Sequence, residues 1–145
     1  MSDPRAFVAL LNENNHLLVI ARSRSSKNGG LLGLPGGHMD NQTVTTAVAR
    51  ELREEVGIDI TLFPREKIGE LLTERNGDPV HIVLWKILYK PQIPWVNHIE
   101  PDPKEVSMAT FLPLRQVRNV ALVDRHYSLD LFLNDELLNR AEELK

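Results

Sequence analysis

Glu51, Glu54 and Glu55 stand at i, i+3 and i+4, so on a helix their side chains emerge on nearly one face. Like charges at that spacing destabilise a helix by roughly a few tenths of a kcal/mol per pair. Glu54 and Glu55 also fall in the last turn before Gly57, where the helix dipole favours cations. Arg50, four residues before Glu54, offsets part of this in the weaker orientation for such a pair. A helix shaped for stability alone would not carry this arrangement, so a bound cation is expected to balance it. Oxygen-only ligands favour hard divalent ions, Mg²⁺ with Mn²⁺ as a substitute, over zinc, which prefers nitrogen and sulfur. Mg²⁺ binds a few carboxylates together with substrate phosphates. Such an ion beside basic side chains suits hydrolysis of a phosphoanhydride, because cations screen the phosphate oxygens and acidify the attacking water. A glutamate not committed to the metal would accept the water's proton.

The acids need a helix, and the residues before them supply one. Asp40-Asn41-Gln42-Thr43 offers N-caps for a helix running to about Val56. Val44, Val48 and Leu52 recur every four residues and form its core-facing stripe. Upstream, Leu31–Leu34 ends in Pro35-Gly36-Gly37, a tight turn whose backbone can approach a ligand closely. Before it, Arg22–Gly30 (RSRSSKNGG) is a polar, basic loop. It reads either as a solvated turn or as a cationic rim for phosphates, with Arg22 at a strand end and Arg24 and Lys27 beyond it.

The rest of the chain supplies a sheet. Ala6–Leu11 and Leu17–Ala21 flank Asn12-Glu13-Asn14-Asn15 and predict a hairpin. Ile58–Phe63 and Ile68–Thr73 read as short strands, and Arg75-Asn76-Gly77-Asp78-Pro79 as a turn. His81–Leu88 is the strongest strand signal; His81 and Trp85 share a face of it, with Trp85 read as core before base-stacking platform. Lys90–Lys104, with prolines at 91, 94, 101 and 103, is a long loop of the kind that forms lids or binding segments. Trp95, Asn97 and His98 within it are candidates to touch a ligand, or equally an exposed or partner-facing loop. Val106–Leu112 resumes as a strand, and Arg118–Asp124 reads as a loop. Asp124 is the expected N-cap of one closing helix, with Leu129, Leu133, Leu137 and Ala141 packing on the sheet or, less simply, against a second copy.

Composition narrows the classes. The 145 residues fit a single domain, 1–145, large enough for its own core. A net charge of −3 argues against general nucleic-acid or anionic-membrane binding. The absence of cysteine removes disulfides, thiolate nucleophiles and Cys-ligated metals. There is no export-signal pattern and no run of about 18 apolar residues, so a cytoplasmic location is expected.

Gly36-Gly37 followed by Arg50-Glu51-Leu52-Arg53-Glu54-Glu55-Val56-Gly57-Ile58 resembles the box of the Nudix hydrolases, G-x5-E-x7-R-E-U-x-E-E-x-G-U with U aliphatic. The segment from Arg50 matches at every defined position. Its five non-aliphatic positions would recur by chance on the order of once in 10⁶ starting points, so the signal is specific. Weaker likeness extends to the preceding strand and loop, to Leu34-Pro35-Gly36-Gly37-His38, and to Glu105-Val106 with Phe111-Leu112-Pro113-Leu114.

The resemblance implies an α/β fold, a Nudix-type α/β/α sandwich around a mixed β-sheet. It also implies Mg²⁺-dependent hydrolysis of a nucleoside diphosphate linked to another moiety, with a small-molecule nucleotide as substrate. Glu54 and Glu55 become the principal metal ligands, Glu51 shares in coordination, and Gly36 offers its carbonyl. Arg50 would orient the glutamates, and Arg22 is similar in position to a phosphate-contacting arginine. Glu105, in competition with Glu100, is the candidate for an extra carboxylate from outside the helix, and Asn119 a guess for base recognition. Two departures stand out: the first box glutamate falls on Gln42, and, counted from Gly37, the loop leading to it is one residue short, since six from Gly37 lands on Thr43. Asp40 is the nearest substitute. Three readings follow: a nucleotide pyrophosphohydrolase, most simply on a nucleoside triphosphate; a nucleotide-binding regulator with little turnover; and an interaction module with a merely solvated acidic helix. Monomer and homodimer both remain open.

Overall fold

A computed structural model of the chain describes residues 2–23, 29–120 and 125–144. Arg24 and Lys27 lie outside the described residues, as does Asp124.

The sheet is built on β1 (Arg5–Leu11), whose residues Ala6–Leu11 are all buried. Phe7, Ala9 and Leu11 face one core, and Ala6, Val8 and Leu10 the other, as the two-residue period of a strand covered on both faces requires. β2 (His16–Arg22) returns antiparallel to β1. Asn12 closes the turn by accepting the backbone N–H groups of Asn14 and His16, each at 2.9 Å. β6 (Asp78–Ile87) lies parallel to β1 on its other side and pairs antiparallel with the edge strand β5 (Arg65–Arg75). Asn76-Gly77, with φ of 53° and 87°, forms their two-residue turn. The short strands β3 (Leu32–Gly33) and β4 (Gly36–His38) pair with β2 and β1, and β7 (Val106–Pro113) with β2. Among the described residues this makes a mixed seven-stranded sheet.

Helices cover both faces. α1 (Val44–Val56) packs Ala47, Val48, Leu52 and Val56 on one side. α2 (Leu114–Val120), α3 (Tyr127–Leu133) and α4 (Glu136–Glu143) close the other, through Val117, Leu129, Phe132, Leu137, Leu138 and Ala141. The α/β/α sandwich is the expected architecture. α1 is capped as its sequence indicates: the Thr43 hydroxyl accepts from Thr46 N–H, and Gly57 takes the left-handed conformation at φ 74°.

Four local expectations change. Ile58–Phe63 is not a strand but a 3-10 turn at Ile60–Leu62; Asp59 accepts both the backbone N–H and the hydroxyl of Thr61, a local bond that competes with strand pairing. The closing helix is two helices, because Asn134-Asp135 ends α3 and caps α4. The segment from Arg118, read as a loop, is helical through Val120. The Lys90–Lys104 segment holds a 3-10 turn whose Trp95 stacks on Phe63 at 5.0 Å, packs against Phe111 and donates to Glu13 at 3.0 Å. Trp95 is thus an anchor of the α1-side core. Trp85 is core, as read, with Arg65 over its ring at 4.5 Å.

His126 caps α3 by accepting Ser128 N–H, and it is buried. Burial, reinforced by Arg22, Arg75 and Arg5, depresses its pKa to about 4 from 6.5. Between those values the unfolded chain binds a proton that the folded chain refuses, so stability falls as pH drops from about 6.5 to about 4. The loss amounts to about 3 kcal/mol. The buried Glu55 carboxyl, pushed up to about 7, titrates over much of that range with the opposite sign in either chain. The readout is therefore a difference: the urea stability of wild type relative to His126→Asn, which keeps a capping oxygen, is expected to fall as pH drops from about 6.5 to about 4.

Candidate functional site

The turn Leu34-Pro35-Gly36-Gly37 is pressed onto β1. Gly36 has φ 150°, and a Cβ there would sit 2.2 Å from the Ala6 carbonyl oxygen and 2.5 Å from Phe7 Cδ1. A Cβ on Gly37 would lie 3.2 Å from Glu51 Oε1. The glycine pair therefore lets backbone meet strand on one side and a helix carboxylate on the other. Behind it, Leu34 N–H donates to Ser128 Oγ at 3.1 Å, and Ser128 Oγ lies 2.9 Å from His126 Nδ1. The α3 terminus thus supports the turn; only the His126-x-Ser128 capping spacing hints at this in the sequence.

Glu55 is the most buried acid of the cluster, with 2% of its side chain exposed. Its Oε1 accepts Gly36 N–H at 2.8 Å, and its Oε2 is paired with Arg22 Nη1. Arg22 Nη2 also reaches the carbonyl oxygens of Leu34 and Gly36, at 3.3 and 3.4 Å. Burial pushes the Glu55 carboxyl up to about 7, although Arg22 and the Gly36 N–H both pull it down. Glu51, one turn earlier, is 12% exposed. Burial raises its pKa as well; Arg50 works against this, and Glu54 and Glu105 reinforce it. Glu54 is at the rim, 58% exposed, with Arg50 Nε 3.9 Å away. The three helix acids and Glu105 thus form one electrostatic neighbourhood. Glu100 instead takes a backbone role beside Gly57, donating its N–H to the Val56 carbonyl at 2.7 Å.

Arg50 straps the incoming loop to the helix. Its guanidinium donates to the His38 carbonyl and to Gln42 Oε1, both at 2.6 Å, and to Glu51 Oε1 and Asp40 Oδ2 at 3.0 and 3.1 Å. Gln42, at the position of the missing glutamate, braces Arg50, a task an amide oxygen performs. Asp40 joins it there. The shortened loop turns by placing Asp40 and Asn41 at φ 51° and 62°, a conformation that Asp and Asn tolerate better than most residues. Asn119 lies on the exposed side of α2. The pairing of Arg22 with Glu55 has no signal in the sequence beyond Arg22 ending a strand.

The donor set is chemically that of a hard cation: two inward carboxylates and the Gly36 carbonyl oxygen. Among the described residues no three carboxylate or imidazole groups stand at the spacing of a closed metal site. A cation nevertheless already sits there, in the form of the Arg22 guanidinium on Glu55 and Gly36.

A family model for the NUDIX domain matches residues 1–131. The chain belongs to the Nudix domain family. Its similarity to curated members is strongest in short stretches. It is 40% identical over 53 residues to an 8-oxo-dGTP diphosphatase of Proteus vulgaris, and the match covers 36% of this chain and 47% of that one. It is 37% identical over 78 residues to the 8-oxo-dGTP diphosphatase of Escherichia coli (strain K12), covering 51% and 55%. The chain thus spans about half the length of the curated relatives it matches. Among solved structures, a MutT protein from Methanosarcina mazei Go1 superposes with a TM-score of 0.67 at 20% identity, covering 99% of this chain and 96% of that one. A bifunctional NMN adenylyltransferase/ADP ribose pyrophosphatase from Francisella tularensis, complexed with AMP and a Mn ion, gives 0.68 at 21% identity, covering 92% and 41%. These likenesses establish the Nudix fold. No helix among the described residues is long and apolar enough to cross a membrane.

Gly36 should be the least replaceable residue of the site's backbone. Gly36→Ala is expected to destabilise the chain by on the order of 3 kcal/mol or more. Gly30→Ala, at φ 80° with nothing within 4 Å of a Cβ, should lose about 1–2 kcal/mol. Thermal unfolding of the two variants checks the difference.

Proposed function

We propose that this Nudix chain is a Mg²⁺-dependent pyrophosphohydrolase. On this reading it cleaves a phosphoanhydride of a nucleoside diphosphate linked to another moiety, most simply a nucleoside triphosphate. The observation that carries the reading is Glu55: a buried carboxylate, fixed to Gly36 N–H and already holding a cationic group beside a second inward acid, Glu51. A carboxylate that burial disfavours needs a positive partner to stay ionised.

On this reading Glu51, Glu55 and the Gly36 carbonyl hold the metal, with Mn²⁺ as a substitute. When bound, the ion would screen the phosphate oxygens and lower the pKa of the attacking water. Glu54 and Glu105, at the open edge, are placed to complete the coordination or to accept the water's proton. Arg50 keeps Glu51 in place through its bonds to His38, Gln42 and Asp40. Arg22 faces the same site and supplies the charge for a phosphate. The matching stretches shared with 8-oxo-dGTP diphosphatases put an oxidised purine nucleoside triphosphate first among substrates to try. A second reading, a nucleotide-binding protein with little turnover, draws on the same Arg22–Glu55 pair, which holds the central acid closed.

A panel of nucleoside triphosphates, 8-oxo-dGTP and ADP-ribose, each with Mg²⁺ and Mn²⁺, tests the proposal by which anhydride breaks. Glu54→Gln, at a largely exposed position, is expected to lower kcat on the order of 10²-fold or more while thermal unfolding stays unchanged. Asp59→Asn, just past the C-terminus of α1 and engaged with Thr61 and Arg53, is expected to leave kcat alone. Full activity in Glu54→Gln would remove Glu54 from both the coordination and the proton transfer, and equal cleavage with and without a divalent ion would remove the metal assignment. Nucleotide binding with no cleavage of any substrate would favour the regulator.

A further inference from the structure

The contact between Arg22 and the two groups proposed to hold the metal has a consequence for how the site loads. One guanidinium nitrogen of Arg22 lies on Glu55, and the other reaches the carbonyls of Leu34 and Gly36 at 3.3 and 3.4 Å. A divalent ion on Glu55 and Gly36 would need the same oxygens and the same volume, and two cations so close repel strongly in a desolvated place. They cannot share the site.

We infer that Arg22 and the metal are mutually exclusive occupants of the Glu55–Gly36 site, so that loading the metal expels the guanidinium toward the phosphates of the nucleotide. This rests on the function proposed above and adds an order to it. The attachment of Arg22 is suited to such release. Among the described residues its Nε is buried without a partner, and the bonds to Leu34 and Gly36 are long. Among those same residues the pair with Glu55 is its one strong tie, and a metal on Glu55 removes it. The strand beneath stays fixed, because Ser23 N–H donates to the Glu105 carbonyl at 2.8 Å and Arg22 N–H to the Leu31 carbonyl at 3.0 Å. Only the side chain has to move.

Two effects follow. In the metal-free chain Arg22 shields Glu55, at the expense of metal affinity. A pyrophosphate-bearing ligand that draws Arg22 outward strengthens metal binding, and the metal strengthens ligand binding by the same factor.

The test is Mn²⁺ binding to the full chain without nucleotide, followed by electron paramagnetic resonance, for wild type and Arg22→Gln. The variant is expected to bind Mn²⁺ about tenfold tighter, because the competing occupant is gone. In the wild type, the Arg22 Nε–H resonance is expected to shift as Mg²⁺ saturates the site, a readout that needs no variant to fold. Equal or weaker Mn²⁺ binding by a folded Arg22→Gln chain overturns the exchange and leaves the metal reading standing. So does an unmoved Arg22 resonance while Mg²⁺ binds. Absence of Mn²⁺ binding in both chains overturns the metal reading, and the exchange with it.

Discussion

The structure turns on one buried charge. The Glu55 carboxylate, almost without solvent contact, is held between the Gly36 N–H and the Arg22 guanidinium. Three separate pieces of chain meet at that side chain: the last turn of α1, the glycine turn entering β4 and the end of β2. Removing any partner would leave a buried carboxylate uncompensated, and such a loss is far larger than a surface ion pair contributes. The acid therefore fixes how the helix docks on the sheet as well as what the site can bind.

Around it the constraints nest. Glu51 can come close to the backbone because Gly37 has no side chain, and Gly36 can enter β4 because nothing occupies the space against Ala6 and Phe7. Arg50 ties the short loop to the helix through three of the loop's oxygens, one of them on Gln42 at the position of the missing box glutamate. The opposite face contributes as well. His126 and Ser128 hold the Leu34 backbone, and burial, aided by arginines from β1, β2 and β5, keeps that histidine neutral. A site that depends on one carboxylate is thus supported from both layers of the sandwich.

Much of this was legible in the sequence, for identifiable reasons. α1 could be read from its caps and four-residue stripe, because both are local. The central strands could be read because burial on two faces demands an unbroken apolar run. Locality also explains the failures: Asp59 bonding to Thr61 outweighed the apolar look of Ile58–Phe63, and Asn134-Asp135 cut a helix whose leucine spacing ran straight through. The acids were visible as a destabilising cluster, and they do gather at the Gly36-Gly37 turn. Their inequality was not visible. Glu54 and Glu55 are adjacent in sequence, yet one lies at the rim and the other is nearly sealed, and that depends on the distance of Arg22 and β4 from the helix. Trp95 shows the same limit: its packing on Phe63 and Phe111, which anchors a proline-rich loop, depends on residues far from it in sequence.

The claim that matters most is that a divalent ion binds between α1 and the glycine turn. Titrating ¹⁵N-labelled chain with Mn²⁺ and following the broadening of each backbone amide tests it directly. Binding there predicts that the signals of Gly36, Gly37, Glu51 and Glu55 vanish first, at Mn²⁺ levels that leave Glu136 and Glu143 of α4, across the sheet, sharp. Broadening that begins at Glu136 and Glu143, or that spreads evenly over the acidic surface, would contradict it.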